Sequence, residues 1–371
     1  LSNDEGDNNN SNDTYKDVMW LANTIKDNDN SGLIFNRHGS RSYNNTYKNN
    51  IITGNGISGS GYGFGYGYGL DLPWGDVTDG VKNNLIEGNI IYNNNNGIRI
   101  GTGPTGWGGS DDYPTNVSTI KNNFIIKNIG FAINTHYTYT DQTLVIENNV
   151  IVSSQNTNRL VELNDEKGSI FRFNVLINTG DSGGPLFSFS DSYQDENSKN
   201  NIVNHNTFIF RNRTGLELFY GGNTFENNNI SNLSNSSEFY SVKILGDDNN
   251  DFENNYWGTT TESEIQALIY DYSDDFELGA VDYSPFSTTL NTTAPISPPS
   301  NVTKFFDGDA VVLNWSANGE SDIAGYKLHY GSPTGYSYST TVDLGNVTTY
   351  LISGGDIATE YSITAYDTNL D

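Results

Sequence analysis

The chain has 371 residues, enough for two domains, with 45 acidic against 18 basic side chains and a formal net charge of −27. This charge disfavours binding to nucleic acid or to anionic lipid heads, and no stretch is apolar for long enough to suggest membrane insertion. The absence of cysteine excludes disulfides and thiolate metal sites.

A short phrase built on asparagine recurs along the first two thirds of the chain. It consists of asparagine, two or three β-favouring residues and often a second asparagine, with shortest spacings of 23 to 27 residues. The phrase begins at Asn23, Asn50, Asn89, Asn123, Asn149, Asn174, Asn206, Asn229 and Asn255. This period is typical of one coil of a parallel β-helix. We therefore expect stacked coils in which these asparagines form a hydrogen-bonded ladder.

A second row of residues supports this register. Apolar–x–apolar triplets follow the phrases at Leu33/Phe35, Ile98/Ile100, Phe131/Ile133, Val161/Leu163, Phe187/Phe189 and Leu216/Leu218. Strand alternation turns these residues inward and the middle residue outward. Asn36, Asn134 and Asn164 follow three of the triplets, which predicts a second asparagine ladder. The alternative, a disordered asparagine-rich chain, does not explain the regular apolar positions.

Three insertions interrupt the repeat after the triplets, at residues 59–76, 101–115 and 190–200, and stacking is expected to place them along one edge. The first two are rich in glycine and aromatic residues and belong to adjacent coils. Aromatic rings stack on the apolar faces of sugars. We therefore predict an aromatic wall that binds polysaccharide, formed by Tyr62, Phe64, Tyr66, Tyr68, Trp74, Trp107 and Tyr113. A self-packed loop and a contact with another protein copy are the alternatives.

The strand face beside this wall offers candidate catalytic residues. The outward residues of the triplets are Ile34, Arg99, Ala132, Glu162, Ser188 and Glu217, and His136 and Asp165 follow the same strands. Glycosidases need two carboxylates, whereas polysaccharide lyases need a cation and a base. Arg99, His136, Glu162 and Asp165 are the candidates for either chemistry. A solvated charged face is the alternative for each residue singly, so the sequence leaves open whether the chain is an enzyme.

The repeat gives way to a different pattern after Asn255. Thr261 and Glu264 have the spacing of a capping box, and Ile265, Leu268 and Ile269 form an apolar helical stripe. A short helix and a hairpin are therefore expected to cover the last coil. The turn "NYWG" followed by "VDYSPF" resembles the ending of the right-handed parallel β-helix repeat family of secreted, often carbohydrate-active, bacterial proteins. The resemblance covers roughly residues 1–288 and implies about nine coils with a short C-terminal helical cap, in a domain spanning 1–286.

A second domain follows a linker. Residues 287–300 are rich in proline, serine and threonine, and residues 301–371 resemble a fibronectin type III module. Trp315, Tyr326 and Tyr361, the last at the tyrosine-corner position, carry this resemblance, which implies an all-β sandwich. No sequence remains for the last strand of that sandwich, and Leu1 resembles the end of a strand. Both ends are therefore expected to lie within a longer parent chain.

Calcium and covalent glycans are further candidate partners. The aspartate clusters Asp4–Asp13, Asp247–Asp251 and Asp367–Asp371 are rich in the oxygen ligands that calcium prefers, with solvated acidic turns as the alternative. Asn116, Asn212 and Asn301 begin N-glycosylation sequons, although the abundance of asparagine, serine and threonine also explains them.

Two functions follow from these patterns. The first is a secreted or cell-surface protein that binds a polysaccharide or cell-surface glycan along the aromatic-lined face. The stronger version of this hypothesis is that the protein also cleaves the polysaccharide. The alternative is a non-catalytic structural or adhesive extracellular surface or filament protein, in which the β-helix is a rigid spacer and copies self-associate. The first function predicts that Trp74→Ala and Trp107→Ala weaken glycan binding.

Overall fold

The chain forms two compact units, Leu1–Asn291 and Thr292–Asp371, whose boundary falls inside the segment predicted as a linker. The structure, a computed structural model, describes residues 14–34, 41–57, 67–72, 81–101, 117–135, 143–153, 159–164, 166–180, 183–190, 199–234, 236–331 and 338–368. Within these ranges, we find no helix with the length and apolar character needed to span a membrane.

The first unit consists of three long parallel sheets through which the chain passes in turn, coil after coil. The strands of the first sheet are Met19–Leu21, Thr46–Lys48, Leu85–Glu87, Val117–Lys121, Thr143–Glu147, Ile170–Arg172, Ile202–Asn204, Thr224–Glu226, Asn250–Asp251 and Val281–Asp282. Those of the second sheet are Thr24–Lys26, Ile51–Thr53, Ile90–Tyr92, Phe124–Ile126, Val150–Ser153, Val175–Asn178, Thr207–Phe210 and Asn229–Asn232. Those of the third sheet are Leu33–Ile34, Tyr68–Leu72, Asn96–Ile100, Ile133–Thr135, Val161–Asn164, Phe187–Ser190, Leu216–Leu218, Val242–Ile244 and Ile269–Tyr270.

This strand order is that of a parallel β-helix, as the asparagine period predicts; its right-handed winding stays a prediction. A smaller parallel sheet lies at the start of the unit and comprises Thr14–Lys16, Arg41–Tyr43 and Val81–Lys82. Each coil directs alternate residues inward, so one continuous core of isoleucine, leucine, valine and phenylalanine runs along the unit. Burial of these apolar rows is the main contribution to the stability of the stack.

The asparagine ladder is confirmed in the corner between the first and second sheets. The side-chain Oδ1 of each member accepts a hydrogen bond from the backbone N–H of the member one coil earlier, at 2.8–3.0 Å. Its members are Asn23, Asn50, Asn89, Asn123, Asn149, Asn174, Asn206, Asn228 and Asn255. The prediction of Asn229 as a member was wrong by one residue, because Asn229 begins the next strand.

The residue before each ladder asparagine turns the corner. It adopts a positive φ, as at Asn49, Asn122 and Asn148, whose φ values are 59°, 56° and 55°. Asparagine tolerates this left-handed conformation better than most side chains do. The recurring Asn-Asn pairs are thereby explained, because the first amide residue makes the turn and the second forms the ladder.

The predicted second ladder of Asn36, Asn134 and Asn164 was wrong. Asn134 pairs in register with Glu162, whereas Asn164 pairs with Ser190, so the two asparagines occupy different positions in their coils; Asn36 lies outside the described residues. A further amide row instead follows the second sheet, where Asn28, Asn55, Asn94 and Asn128 are linked by hydrogen bonds of 3.0–3.2 Å.

A column of alternating charge runs along the outer face of the first sheet. Strand register stacks Lys48, Glu87, Lys121, Glu147 and Arg172 on successive coils. The ammonium of Lys48 lies 3.0 Å from the Glu87 carboxylate, and the Arg172 guanidinium lies 2.7 Å from the Glu147 carboxylate. Neighbouring strands lie about 4.8 Å apart, so opposite charges on adjacent coils attract each other.

The C-terminal cap differs in detail from the prediction. The helix spans Glu262–Ala267 with Ile265 buried, but Thr261 makes no side-chain capping hydrogen bond, so the predicted capping box is wrong. The Thr259 hydroxyl donates to the Glu264 carboxylate in its place. The predicted hairpin is also wrong, because Ile269–Tyr270 extends the third sheet and Val281–Asp282 extends the first.

The second unit contains two antiparallel sheets of three strands each. One sheet has the order Ser300–Asp307, Ala310–Ser316, Thr349–Ser353, and the other has the order Thr340–Gly345, Ile323–Tyr330, Tyr361–Asp367. Its core includes Trp315 and Tyr326, whose ring centroids lie 5.4 Å apart. The unit is therefore all-β, as predicted.

Candidate functional site

The outer face of the third sheet carries a row of polar side chains, one from each successive coil. The strand register aligns Asp71, Arg99, Asn134, Glu162, Ser188, Glu217, Lys243 and Tyr270. Parallel strands lie about 4.8 Å apart, so the row is a straight track along the axis of the solenoid. We call this set of residues the third-sheet row.

The register corrects one of the residues predicted to face outward. Ile133, and not Phe131, pairs with Ile98 in the inward column, so Asn134 occupies the outward position next to Arg99. Ala132 is buried.

Arg99 lies at the start of this row and is held by a buried ion pair. Its Nε and one terminal nitrogen donate to the two carboxylate oxygens of Asp71, both at 2.7 Å, and both side chains are buried. The Arg99 guanidinium carbon also lies 4.8 Å from the ring centroid of Tyr68. Such a bidentate pair fixes the geometry of the guanidinium. A role for Arg99 in chemistry stays a prediction and would require it to exchange this partner.

Arg159 joins two carboxylates at the middle of the row. Its guanidinium donates to Glu162 Oε1 at 3.0 Å and to Glu217 Oε1 at 3.2 Å, although the two glutamates lie two coils apart. The guanidinium also lies 5.9 Å from the ring of Phe219. The Arg159 side chain keeps 30% of its surface exposed, and Glu162 and Glu217 keep 12% and 15%. The cluster is thus half-buried and open to a ligand on one side.

Both carboxylate oxygens of Glu162 accept hydrogen bonds. Its Oε1 accepts from Arg159 and, at 3.0 Å, from the Ser190 hydroxyl, while Oε2 accepts from the Asn134 amide at 2.8 Å. A general acid must donate a proton from one of its carboxyl oxygens. Both oxygens of Glu162 act as acceptors, so this arrangement favours holding a ligand over protonating it.

Aromatic rings border the far end of the row. Tyr240 and Tyr270 are half-buried with ring centroids 5.3 Å apart, and the Lys243 ammonium lies 5.7 Å from the Tyr270 ring. Rings of this kind combine a flat apolar surface with a polar edge, which suits contact with a sugar. The row therefore joins carboxylates, cations and rings within a few coils.

Most of the predicted aromatic wall lies outside the described residues, namely Tyr62, Phe64, Tyr66, Trp74, Trp107 and Tyr113, as do the catalytic candidates His136 and Asp165. One part of that prediction was wrong. Residues 68–72, "YGLDL", form a buried strand of the third sheet in place of a surface insertion, with Leu70 and Leu72 in the core. In chain order, the residues up to Tyr66 precede this strand and Trp74 follows it. Tyr68 is itself buried.

Glu166 is a buried acid that the sequence reasoning missed. It follows the third-sheet strand Val161–Asn164, is fully buried, and accepts a hydrogen bond of 2.7 Å from the Ser169 hydroxyl. Burial raises the pKa of the Glu166 carboxyl from 4.5 to about 7, while hydrogen bonds from Ser169 and Thr135 act in the opposite direction. The carboxyl therefore titrates close to neutral pH although it lies inside the stack.

The aspartates considered for calcium do not gather into a site in the part of the chain that the structure describes, where no group of three or more histidine, cysteine, aspartate or glutamate side chains is suited to hold a metal ion. Asp251 and Asp282 pair in register and help to line an open cleft of about 640 Å³ at the end of the first sheet. This cleft is not part of the third-sheet row. Asp4–Asp13, Asp371 and Asn116 lie outside the described residues. Calcium binding stays a prediction, as does glycosylation at Asn116, Asn212 and Asn301.

Five residues of the site were missed by the sequence reasoning: Asp71, Arg159, Tyr240, Lys243 and Tyr270. A signal existed for Lys243, because Val242 and Ile244 flank it in the apolar–x–apolar pattern used elsewhere. Arg159 precedes its strand and meets Glu217 across 58 residues, so no local pattern reveals that contact.

Comparison with protein-family models and with curated proteins gave no match. Among solved structures, the chain is similar to a tailspike protein, gp49 from Acinetobacter baumannii bacteriophage Fri1, a capsular polysaccharide depolymerase, with 11% sequence identity and a TM-score of 0.29. The alignment covers 92% of this chain and 69% of that chain. A TM-score this low does not establish a shared fold. The fold of this chain rests on its strand register, and the candidate site rests on its side-chain contacts.

Proposed function

We propose that the third-sheet row binds a polysaccharide, which lies along the solenoid axis from Asn134 to Tyr270. The observation that carries the proposal is the cluster in which Arg159 joins Glu162 and Glu217, with Tyr270 of the Tyr240–Tyr270 pair two coils further along the row. Carboxylates and guanidinium groups are strong partners for sugar hydroxyls, and aromatic rings stack on sugar faces. A straight track of such groups suits a long, repetitive ligand.

Binding is favoured over cleavage by the contacts of Glu162. Hydrolysis of a glycosidic bond requires one carboxyl group that donates a proton and a second that acts as base or nucleophile. Both oxygens of Glu162 accept hydrogen bonds, and Glu217 shares the same guanidinium. Cleavage through this pair would require Arg159 to move away when the glycan binds. A role for Arg99, His136 and Asp165 in such cleavage remains a prediction.

The preferred glycan is expected to be neutral or to carry amino groups. Arg159 and Lys243 balance Glu162 and Glu217, so the row itself has no excess of positive charge. The whole chain carries a net charge of −27 and repels polyanions at low ionic strength. Binding of a uronate-rich polymer is therefore expected to be weaker than binding of a neutral polymer of equal length.

Tyr270→Ala and Glu217→Gln are each expected to weaken glycan binding about tenfold, because each removes a ring or a charge from the row. Isothermal calorimetry with a hit from a glycan array measures the change. Tyr92→Ala is the matched control, since Tyr92 is a half-buried outward tyrosine on the second sheet. Trp74→Ala and Trp107→Ala test the predicted wall in the same assay.

Two results would contradict this proposal. One is a wild-type chain that binds no glycan on a broad array, and the other is an equal loss of binding in Tyr92→Ala. A reducing-end assay on the bound glycan decides between binding alone and cleavage. Turnover that disappears in Glu162→Gln would assign catalysis to the cluster, against the argument from hydrogen bonding.

A second candidate function is that of a rigid structural or adhesive spacer in an extracellular surface or filament protein. The observation that favours it is the unbroken asparagine ladder from Asn23 to Asn255, which ties every coil to the next. A secreted or cell-surface location remains a prediction for either function.

We also infer that the second unit is a fibronectin type III-like sandwich. Its sheet orders, the packing of Trp315 on Tyr326, and the Tyr361 hydroxyl, which donates to the Asp356 carbonyl at 3.3 Å, support this. A hydrogen bond from a tyrosine to the backbone a few residues upstream is the feature expected of a tyrosine corner.

A further inference from the structure

The second sheet differs from the other two because its outer face is apolar. From Ile51 to Ile209, the twelve outward positions hold ten apolar or aromatic side chains and two threonines. They are Ile51, Thr53, Ile90, Tyr92, Phe124, Ile126, Val150, Val152, Val175, Ile177, Thr207 and Ile209. We call these residues the second-sheet face. Strands of a parallel sheet that are apolar on both sides are usually covered on both sides.

The outer faces of the other two sheets are polar or mixed. The first sheet presents the charge column from Lys48 to Arg172, and the third sheet presents the row from Asp71 to Tyr270. The apolar character of the second-sheet face is therefore a property of that sheet and not of the coil.

One end of the second-sheet face is already covered by the chain itself. The Asn291 N–H donates to Asn229 Oδ1 at 2.8 Å on the last strand, and the Asn229 amide donates back to the Asn291 carbonyl at 3.0 Å. Val175 and Thr207 in the same row are buried. Towards the other end, Phe124 keeps 40% of its surface exposed, and Ile90, Ile126 and Val152 are only half-buried.

The absence of charged residues indicates which partner fits the open part of the second-sheet face. None of the twelve outward positions is charged, whereas the chain as a whole carries −27. Two copies repel each other wherever their acidic surfaces meet, so the charge-free face is where a second copy can approach closely. A basic or acidic partner, by contrast, would find no opposite charge to recognise there.

We propose that a second copy of this chain packs on the second-sheet face to form a two-fold symmetric dimer. In such a dimer, the same patch is used by both copies. Both patches have side-chain rows that repeat about every 4.8 Å, so the ridges of one copy fit between the ridges of the other. The part left open covers four strands, from Ile51 to Val152, and spans about 19 Å by about 10 Å, which is small for a stable interface. The association is therefore weak and reversible.

Sedimentation velocity on the full chain tests the dimer. The wild type is expected to shift from monomer to dimer between low micromolar and several hundred micromolar concentration. Ile126→Lys and Val152→Lys, at the middle of the face, are each expected to raise the dissociation constant about tenfold or more. Ile170→Lys is the matched control, because Ile170 is a half-buried outward isoleucine on the first sheet.

A wild-type chain that stays monomeric at the highest concentration overturns the proposal, as does an equal loss of dimer in Ile170→Lys. Circular dichroism checks that the lysine variants remain folded. Cross-linking gives a second test that needs no charge change, because the wild-type chain has no cysteine. Val152→Cys is expected to give covalent dimers with a short bis-maleimide, and Ile170→Cys is expected to give none. Dimers from both variants, or from neither, would also overturn the proposal.

Discussion

Asn149→Ala is expected to lower the free energy of unfolding by about 3 to 5 kcal/mol, because it removes a buried ladder amide whose two N–H donors and Oδ1 all form hydrogen bonds. The two hydrogens of the Asn149 amide nitrogen are shared among three acceptors at 2.9–3.0 Å, the Ile120 and Glu147 carbonyls and Asn174 Oδ1. The Asn149 Oδ1 accepts from the backbone and side-chain nitrogens of Asn123. Urea unfolding followed by circular dichroism measures the change.

Asn23→Ala is the internal control for this effect. Asn23 is an exposed member of the same ladder, and its side chain donates one hydrogen bond, to Asn50 Oδ1 at 3.1 Å. The loss there is expected to stay below about 1 kcal/mol. Equal losses at Asn23 and Asn149 would mean that the ladder contributes no more when buried than when exposed, which contradicts the prediction.

The stability of the solenoid is expected to fall as the pH rises from about 4.5 to about 7, and Glu166 is the cause that the structure assigns. The pKa of its carboxyl is raised from 4.5 to about 7 in the folded chain, so the folded state holds a proton that the unfolded state releases. This contribution is complete below about pH 4.5, is lost progressively between about pH 4.5 and 7, and is absent above that range. It amounts to about 3 kcal/mol.

Glu166→Gln isolates this contribution from the rest of the acidic surface. Glutamine keeps an oxygen that accepts the Ser169 hydroxyl hydrogen bond but cannot ionise. The variant is expected to match the wild type at pH 4 and to be about 3 kcal/mol more stable at pH 8. Urea unfolding at several pH values gives the difference curve. A difference that does not change with pH would show that Glu166 is not the titrating group.

The solenoid was predictable from the sequence because its strongest signal is periodic. The ladder asparagines recur once per coil. The residue before each of them adopts a left-handed backbone conformation, which favours asparagine at that position too. Both features can be seen in the sequence alone. The one slip, at Asn229, occurred where three asparagines are adjacent and the sequence alone does not choose among them.

The register of the third sheet was harder to predict because one inward position is polar. Thr135 is fully buried and pairs with Ile100, so the inward pair of its coil is Ile133 and Thr135. Phe131 and Ile133 match the apolar–x–apolar pattern, but this pair lies two residues before the true inward pair. The Thr135 hydroxyl accepts from the Asn164 N–H at 2.7 Å, which is how a polar group is tolerated there.

The strand Tyr68–Leu72 was not predicted because the residues before it have the same alternating pattern. Glycine and aromatic residues alternate from Tyr62 to Tyr68, and this two-residue period continues into Leu70 and Leu72 without a break in the sequence. A glycine-rich insertion and a buried strand therefore look alike in composition. Only the inward pairing of Leu70 with Leu33 and Ile98 separates them.

The candidate site was predictable only in part. Arg99 and Glu162 do lie on one outward face, since strand alternation alone decides that. The partner of each could not be read from the sequence, because Asp71 and Arg159 reach them through side-chain conformation and long-range packing. Whether a charged residue on that face forms an ion pair with a neighbour depends on the three-dimensional structure.

The charge column on the first sheet restricts how this solenoid can change its length. The signs alternate from Lys48 to Arg172, so the pattern repeats every second coil. Loss of the single coil that carries Glu87 would bring Lys48 next to Lys121, whereas loss of the two coils that carry Glu87 and Lys121 would set Lys48 beside Glu147. Like charges on adjacent strands are destabilising. Shortening or duplication in this region is therefore tolerated best in steps of two.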